Sequence, residues 1–231
     1  MNAPTIVYLH GFNSSPRSVK GSALARAAAA LTEPARFHVP DLAHRPAQAI
    51  HEVCAWIESS AANAGNLAFI GSSLGGFYAT WLAERYGARA VVINPAIRPA
   101  ADLRSFLGRQ RNPYTGVEYE VTLDHFVELE ALEIERITRP ERYFLLVRTG
   151  DEILDWRAAV SFYGGAYQYV AGGGTHGWED FGDETASVLR FCGVDATTET
   201  LRGRCGMSAG GVVRRCAGAG SGETPSGERP R

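Results

Sequence analysis

Ser73 stands in the run Ile70-Gly71-Ser72-Ser73-Leu74-Gly75-Gly76, which fits G-x-S-x-G with the second serine at its centre. An apolar run, Leu67–Ile70, precedes it and a helix-like stretch, Leu74–Tyr86, follows, so the motif sits at a strand-to-helix junction. A serine raised on so sharp a turn exposes its hydroxyl at the carboxyl edge of a sheet, where it can act as a nucleophile. Strand and helix then approach closely, and Gly71 and Gly75 leave no Cβ to collide there. The Leu74 N–H opens the helix without an intrahelical acceptor and can stabilise an oxyanion. A phosphate loop would require Gly-Lys-Ser/Thr, and a dinucleotide site an acidic residue at the right distance downstream; neither is present.

A nucleophilic serine needs a base, and the base an orienting acid, which on this scaffold follow in the order Ser, acid, His. His176 lies after a late strand, Tyr167–Val170, in the glycine-rich loop Gly172-Gly173-Gly174-Thr175-His176-Gly177. His125 falls in a different segment and reads as a helix-surface or cap residue, while His38, His44 and His51 precede the serine and read as structural or solvated. For the acid, Asp151 follows Thr149-Gly150 at the end of the strand Tyr143–Val147; Asp155 is the alternative, with a competing role as N-cap of the helix Trp156–Phe162. The first strand, Thr5–Leu9, runs into His10-Gly11-Phe12-Asn13. The loop at that point supplies the second oxyanion N–H, assigned to Phe12 with Asn13 as its rival, and His10 is expected to fix the loop.

The elements that must position these residues alternate along the chain. Apolar strands at Thr5–Leu9, Ala35–Val39, Leu67–Ile70, Ala90–Ile93, Tyr143–Val147 and Tyr167–Val170 are separated by amphipathic helices at Val19–Leu31, Pro46–Ala62, Leu74–Tyr86, Trp156–Phe162 and Glu184–Cys192. That alternation implies an α/β fold, a mostly parallel sheet with helices on both faces. The segment from about 97 to 140 interrupts it and carries its own helical pieces, such as His125–Leu132; an insertion of that size is expected to be a small cap.

Composition divides the chain. With 45% hydrophobic residues and 231 positions there is material for one sizeable core. The net charge of −2 argues against a nucleic-acid partner. No aromatic residue follows Phe191, and Thr197–Arg231 carries six arginines against three glutamates and eight glycines. We therefore expect a catalytic domain over 1–193 and a disordered Gly/Arg-rich tail over 194–231. No apolar run approaches the roughly 20 residues of a membrane span, no signal-like N-terminal stretch is present, and the four cysteines form no CxxC pair. The expectation is a cytoplasmic protein without a membrane partner. No His, Cys, Asp or Glu cluster suggests a metal, and the chemistry requires no cofactor.

Several longer motifs carry a family resemblance: Tyr8-Leu9-His10-Gly11-Phe12-Asn13-Ser14-Ser15-Pro16, Gly71-Ser72-Ser73-Leu74-Gly75-Gly76-Phe77-Tyr78, Ile93-Asn94-Pro95-Ala96, Asn112-Pro113-Tyr114-Thr115-Gly116 and Thr149-Gly150-Asp151-Glu152. In order from about Thr5 to Gly193 the chain resembles the YqiA/YcfP-type esterases of the α/β-hydrolase superfamily. The resemblance implies a compact α/β-hydrolase fold, hydrolysis of carboxylic esters or acyl thioesters, and Ser73, Asp151 and His176 as the triad. It departs at the histidine loop, where the family usually has Gly-Gly-Asp-His-Ser-Phe and this chain has Gly173-Gly174-Thr175-His176-Gly177-Trp178.

The expected partner is thus a small acyl ester or thioester, cleaved through an acyl-enzyme with the Phe12 and Leu74 amides as oxyanion hole. An acyl-thioesterase would suit Arg98, Arg104, Arg109 and Arg111 of the insertion, which could meet a phosphorylated carrier, although the favoured reading of these residues is a solvated basic face of a cap helix. The alternative from another class is a non-catalytic ligand- or partner-binding protein on the same scaffold.

Overall fold

A computed structural model describes residues 4–31, 35–60, 62, 65–194 and 214–215. Its centre is a sheet of six parallel strands: β1 (Thr5–Leu9), β2 (Arg36–His38), β3 (Leu67–Ser72), β4 (Arg89–Ile93), β7 (Tyr143–Arg148) and β8 (Tyr167–Ala171). They lie in the order β2-β1-β3-β4-β7-β8. β1, β3, β4 and β7 are buried along most or all of their length, as a parallel sheet covered on both faces requires. Successive residues turn to opposite faces. Val7, Leu9, Phe69, Val92 and Leu145 pack into one apolar cluster with α2 (Pro46–Ser59), α3 (Leu74–Tyr86) and α6 (Trp156–Phe162). Ile6, Tyr8, Ile70, Val91, Ile93 and Leu146 pack into the other, beneath α1 (Val19–Ala29) and α7 (Thr185–Phe191).

Of the segment 194–231, only Val194 and the pair Arg214–Arg215 (β9) are described; the backbone of β9 pairs antiparallel with Tyr167–Gln168 at the open edge of β8. The expectation of a disordered tail otherwise lies outside the described residues, as do Cys205 and Cys216. No helix among the described residues is long and apolar enough to cross a membrane.

The insertion between β4 and β7 holds α4 (Pro99–Asp102), a 3-10 turn (Leu103–Phe106), an antiparallel hairpin of β5 (Gly108–Arg111) and β6 (Glu118–Val121), and α5 (Leu123–Ala131). The sequence reading anticipated its helix but not its hairpin. Within the hairpin Arg109 stands opposite Glu120 and Arg111 opposite Glu118, while Arg104 lies over the Phe126 ring at 6.0 Å. Two of the four arginines are therefore matched across the ladder by acids and a third is engaged with an aromatic face.

Two contacts dock α5 on the body. Glu128 accepts from Arg45 and from the backbone N–H of Ala47 at 3.2 Å, so it serves the first turn of α2, whose own N-cap residue offers no side-chain acceptor. The second is a histidine pair. Thr122 N–H donates to His125 Nδ1 at 3.1 Å, completing a capping box. With Nδ1 accepting, the His125 proton is on Nε2 and is donated to His44 Nδ1 at 3.0 Å. Burial lowers the pKa of both imidazoles. His44 also stacks on Tyr119, whose hydroxyl donates to Asn13 Oδ1 at 2.6 Å.

Because the lowered pKa values favour neutral histidines in the fold, this docking contributes fully above the ordinary histidine pKa of about 6.5 and is lost as pH falls through the lowered values. We expect α5 amides to exchange hydrogen faster at pH 5 than at pH 7.5 after correction for intrinsic rates. In His125→Gln, which keeps an acceptor but cannot titrate, that difference should shrink; equal protection at both pH values in the native chain would contradict this docking.

Candidate active site

The carboxyl ends of β1, β3, β4, β7 and β8 open at one edge of the sheet, and every candidate residue lies in a loop that leaves this edge. Ser73 follows β3 with φ 57° and ψ −123°, a conformation that costs a non-glycine residue about 1–3 kcal/mol. It is held there by Ser73 N–H to Ile93 O at 3.0 Å and by Ala96 N–H to Ser73 O at 3.1 Å. A Cβ on Gly75 would strike the Leu9 and His10 carbonyls, and one on Gly71 the Gly75 carbonyl; the elbow closes only with glycine at both. Ser72, its neighbour, is buried within the strand at 4% exposure, whereas Ser73 is half-buried.

The loop after β1 passes against the elbow: a Cβ on Gly11 would lie 3.1 Å from Ser73 Cβ and 3.6 Å from its hydroxyl. This brings the Phe12 backbone to the same edge as Leu74, the first residue of α3. His10 fixes the loop as expected. Its Nδ1–H donates to Gly11 O at 3.0 Å and its Nε2 accepts from Leu42 N–H at 3.3 Å, and burial lowers its pKa. Asn13, at φ 50°, bonds Tyr119 and Gln110 through its side chain, and Phe12 packs edge-on against Phe106 with ring centres 5.2 Å apart. The hairpin thus roofs the loop after β1, a contact with no signature in the sequence.

Asp151 and His176 are brought together: Asp151 Oδ2 is 2.8 Å from His176 Nδ1, with the carboxylate side chain 1% exposed and the imidazole 18%. Asp151 Oδ1 accepts from the N–H groups of Ile153 at 2.9 Å and Leu154 at 2.8 Å. Burial would raise the Asp151 pKa, but the hydrogen bonds from His176 and these amides hold it below the usual carboxylate range. Asp155, the alternative acid, instead accepts from Arg157 N–H at 3.0 Å as the N-cap of α6. Gly150 permits the convergence, since a Cβ there would collide with the Gly174 carbonyl. The Ser73 hydroxyl makes no hydrogen bond to His176, so the His176–Asp151 half of the constellation is the half that is closed.

The histidine loop is pinned from several directions. His176 N–H donates to Glu152 Oε2 at 3.0 Å, and Gly173 N–H to Thr149 Oγ1 at 2.8 Å. The His176 carbonyl accepts from Asn94 Nδ2 at 3.1 Å; Asn94, at φ 42° after β4, also takes the Arg148 N–H on Oδ1 at 3.0 Å. Lys20 of α1 reaches the same stretch, its Nζ 2.6 Å from Gly177 O and 3.4 Å from His176 O. Thr175 and Trp178 of this loop are both engaged, although the buried Trp178 indole N–H has no hydrogen-bond acceptor among the described residues. Thr175 Oγ1 donates to Glu179 at 2.6 Å, and Trp178 is fully buried under the Arg148 guanidinium, 4.5 Å from its ring centre. Glu152, Asn94 and Lys20 were not singled out for function in the sequence. The motifs Thr149-Gly150-Asp151-Glu152 and Ile93-Asn94-Pro95-Ala96 contained the first two, and Lys20 carried the signal of being the one lysine in the chain. Among the described residues no group of three His, Cys, Asp or Glu could hold a metal ion.

The profile of an uncharacterised protein family, UPF0227, matches residues 5–193. The chain belongs to this family, the YqiA/YcfP family that its motifs resemble. Solved structures share its fold. Mouse alpha/beta hydrolase domain-containing protein 10 superposes with a TM-score of 0.63 at 18% identity, over 84% of this chain and 89% of that one. A putative hydrolase from Agrobacterium vitis gives 0.64 at 18% identity over 82% and 88%. The esterase domain of a Rhodothermus marinus protein gives 0.58 at 18% identity over 81% and 84%. The fold is that of the α/β hydrolases, as expected.

If Asp151 orients the histidine and Asp155 only caps α6, the two acids separate by substitution. Asp151→Asn should lower ester hydrolysis by roughly 10³-fold or more with little change in melting temperature. Asp155→Asn should leave hydrolysis within about twofold, since asparagine caps a helix nearly as well as aspartate.

Proposed function

We propose that this protein is a serine hydrolase that cleaves small carboxylic esters or acyl thioesters through an acyl-enzyme. The observation that carries the reading is the buried Asp151–His176 pair at 2.8 Å, borne on the loops after β7 and β8 at the same sheet edge as a serine held at φ 57° on a glycine-flanked elbow after β3. Membership of the family and the fold of the neighbours agree with it.

In this mechanism His176 takes the Ser73 proton through Nε2 as the hydroxyl attacks the substrate carbonyl. Its Nδ1–H stays on Asp151, which fixes the tautomer and stabilises the imidazolium that forms. The Phe12 and Leu74 amides hold the oxyanion, with the helix N-terminus of α3 adding favourable field. His176 returns the proton to the leaving alcohol or thiol. Water, activated by the same imidazole, then releases the acid and restores Ser73. Asp151 remains anionic throughout, consistent with its lowered pKa. A phosphorylated carrier finds little support from the insertion, because Arg109 and Arg111 face Glu120 and Glu118.

Hydrolysis of p-nitrophenyl acetate, butyrate and octanoate and of short acyl-CoA by Ser73→Ala and Ser72→Ala tests the reading. Ser73→Ala should lose at least ~10³-fold in kcat/KM while Ser72→Ala keeps activity in proportion to its folded fraction. A correctly folded native chain without turnover on any of these would favour the alternative of a non-catalytic binding protein.

A further inference from the structure

Lys20 is the one lysine in the chain; the other 22 basic residues are arginines. It is also 7% exposed, and no arginine among the described residues is buried to that degree. A buried ammonium is costly unless its surroundings repay the lost hydration. Its location, the second residue of α1, does not call for a cation: the N-terminal turn of a helix disfavours positive charge, and no acidic residue precedes or follows it within a helical turn. What the Nζ reaches is the loop of the general base, donating to Gly177 O at 2.6 Å and lying 3.4 Å from His176 O. Asn94 Nδ2 grips that same His176 carbonyl from the end of β4 at 3.1 Å. The backbone on the two sides of the His176 Cα is therefore held by different elements, its N–H by Glu152 and its carbonyl side by Asn94 and Lys20. With three glycines immediately upstream, the loop has little stiffness of its own.

We propose that Lys20 is a positioning residue for His176: its ammonium clamps the His176–Gly177 carbonyls so that the imidazole keeps Nδ1 on Asp151 and presents Nε2 to Ser73. The proposal rests on Ser73, His176 and Asp151 forming the hydrolytic site. A lysine suits the task because a compact, triply donating ammonium can serve two adjacent carbonyls at one point, whereas the planar arginine fork is shaped for paired acceptors. The charged groups that face Lys20 are Glu179 on the histidine loop and Asp151 after β7, with Glu152 on the far side of His176; at its own end of α1 lies the neutral Tyr8–Ser18 hydroxyl pair. Burial brings the ammonium down to about 8, against the attraction of Glu179 and Asp151. A charged donor binds a carbonyl more strongly than a neutral amine, so the clamp is tightest below that pH and slackens as pH rises through it.

The test compares the native chain with Lys20→Met, Lys20→Arg and Ser73→Ala on p-nitrophenyl butyrate between pH 6 and 9.5, with labelling by a fluorophosphonate and with [ε-13C]lysine in the native chain. Since there is one lysine, the spectrum holds one lysine resonance. We expect Lys20→Met to lose about tenfold or more in kcat with KM within about twofold, and to be labelled more slowly but to the same final stoichiometry. The lysine resonance should titrate at the midpoint of an alkaline fall in native kcat, and Lys20→Arg, which keeps its charge, should lack that fall. The proposal is overturned if Lys20→Met keeps kcat within about twofold, or if its labelling stoichiometry drops in proportion to its activity, the mark of a folding defect. If instead Ser73→Ala retains activity, the underlying hydrolase reading fails, whatever Lys20 does.

Discussion

The close approach of β3 to α3 is the constraint on which this molecule depends. The turn between them must reverse the chain in one residue, and Ser73 absorbs that reversal at positive φ. The conformation persists because it is over-determined: the Ser73 N–H and carbonyl are bonded to the end of β4 and the turn beyond it, Gly75 lets the helix press onto the Leu9 and His10 carbonyls, and Gly71 lets strand and helix close on each other. The same contact fixes where the β1 loop runs, and so where a second oxyanion amide can stand. Strain at one residue thus sets the relation between the Ser73 hydroxyl, the helix N-terminus and the neighbouring loop.

The other half of the site is built differently. The histidine loop is long, glycine-rich and without secondary structure, and it is made rigid by side chains from outside it. Asp151 holds the ring, Glu152 the N–H, Asn94 and Lys20 the carbonyl side, and Trp178 anchors the far end in the core. Within the loop the Thr175 hydroxyl donates to Glu179 and the Trp178 indole face lies beneath Arg148. A third set of contacts joins the insertion to the loop after β1, through Tyr119 to Asn13 and Phe106 to Phe12. Changes in the insertion can therefore reach the reaction without touching the serine.

The parallel strands and their helices were legible because each is an apolar run or an amphipathic stripe, and burial follows those patterns directly. That Asp151 and His176 would meet on loops at the sheet edge that carries Ser73 was legible from residue type and chain order, and Asp155 could be set apart by its helix-capping position. The hairpin β5–β6 was not, because its exposed positions are arginines and glutamates that read as solvated charge; only the facing strand reveals them as cross-strand pairs. Asn94 read as a strand stop, which it is, but its two side-chain bonds depend on loops distant in sequence. Lys20 was not legible, since nothing in its local sequence marks the face of α1 that the histidine loop covers.

The central claim is that Ser73, in its strained turn, is a nucleophile activated by His176. Reaction with a fluorophosphonate followed by peptide mass spectrometry tests it most directly, because the reagent records which hydroxyl was activated. The account predicts one adduct per chain, located on Ser73, and lost when His176 is replaced by alanine. An adduct on Ser72, or a folded native chain that takes up no reagent, would contradict it.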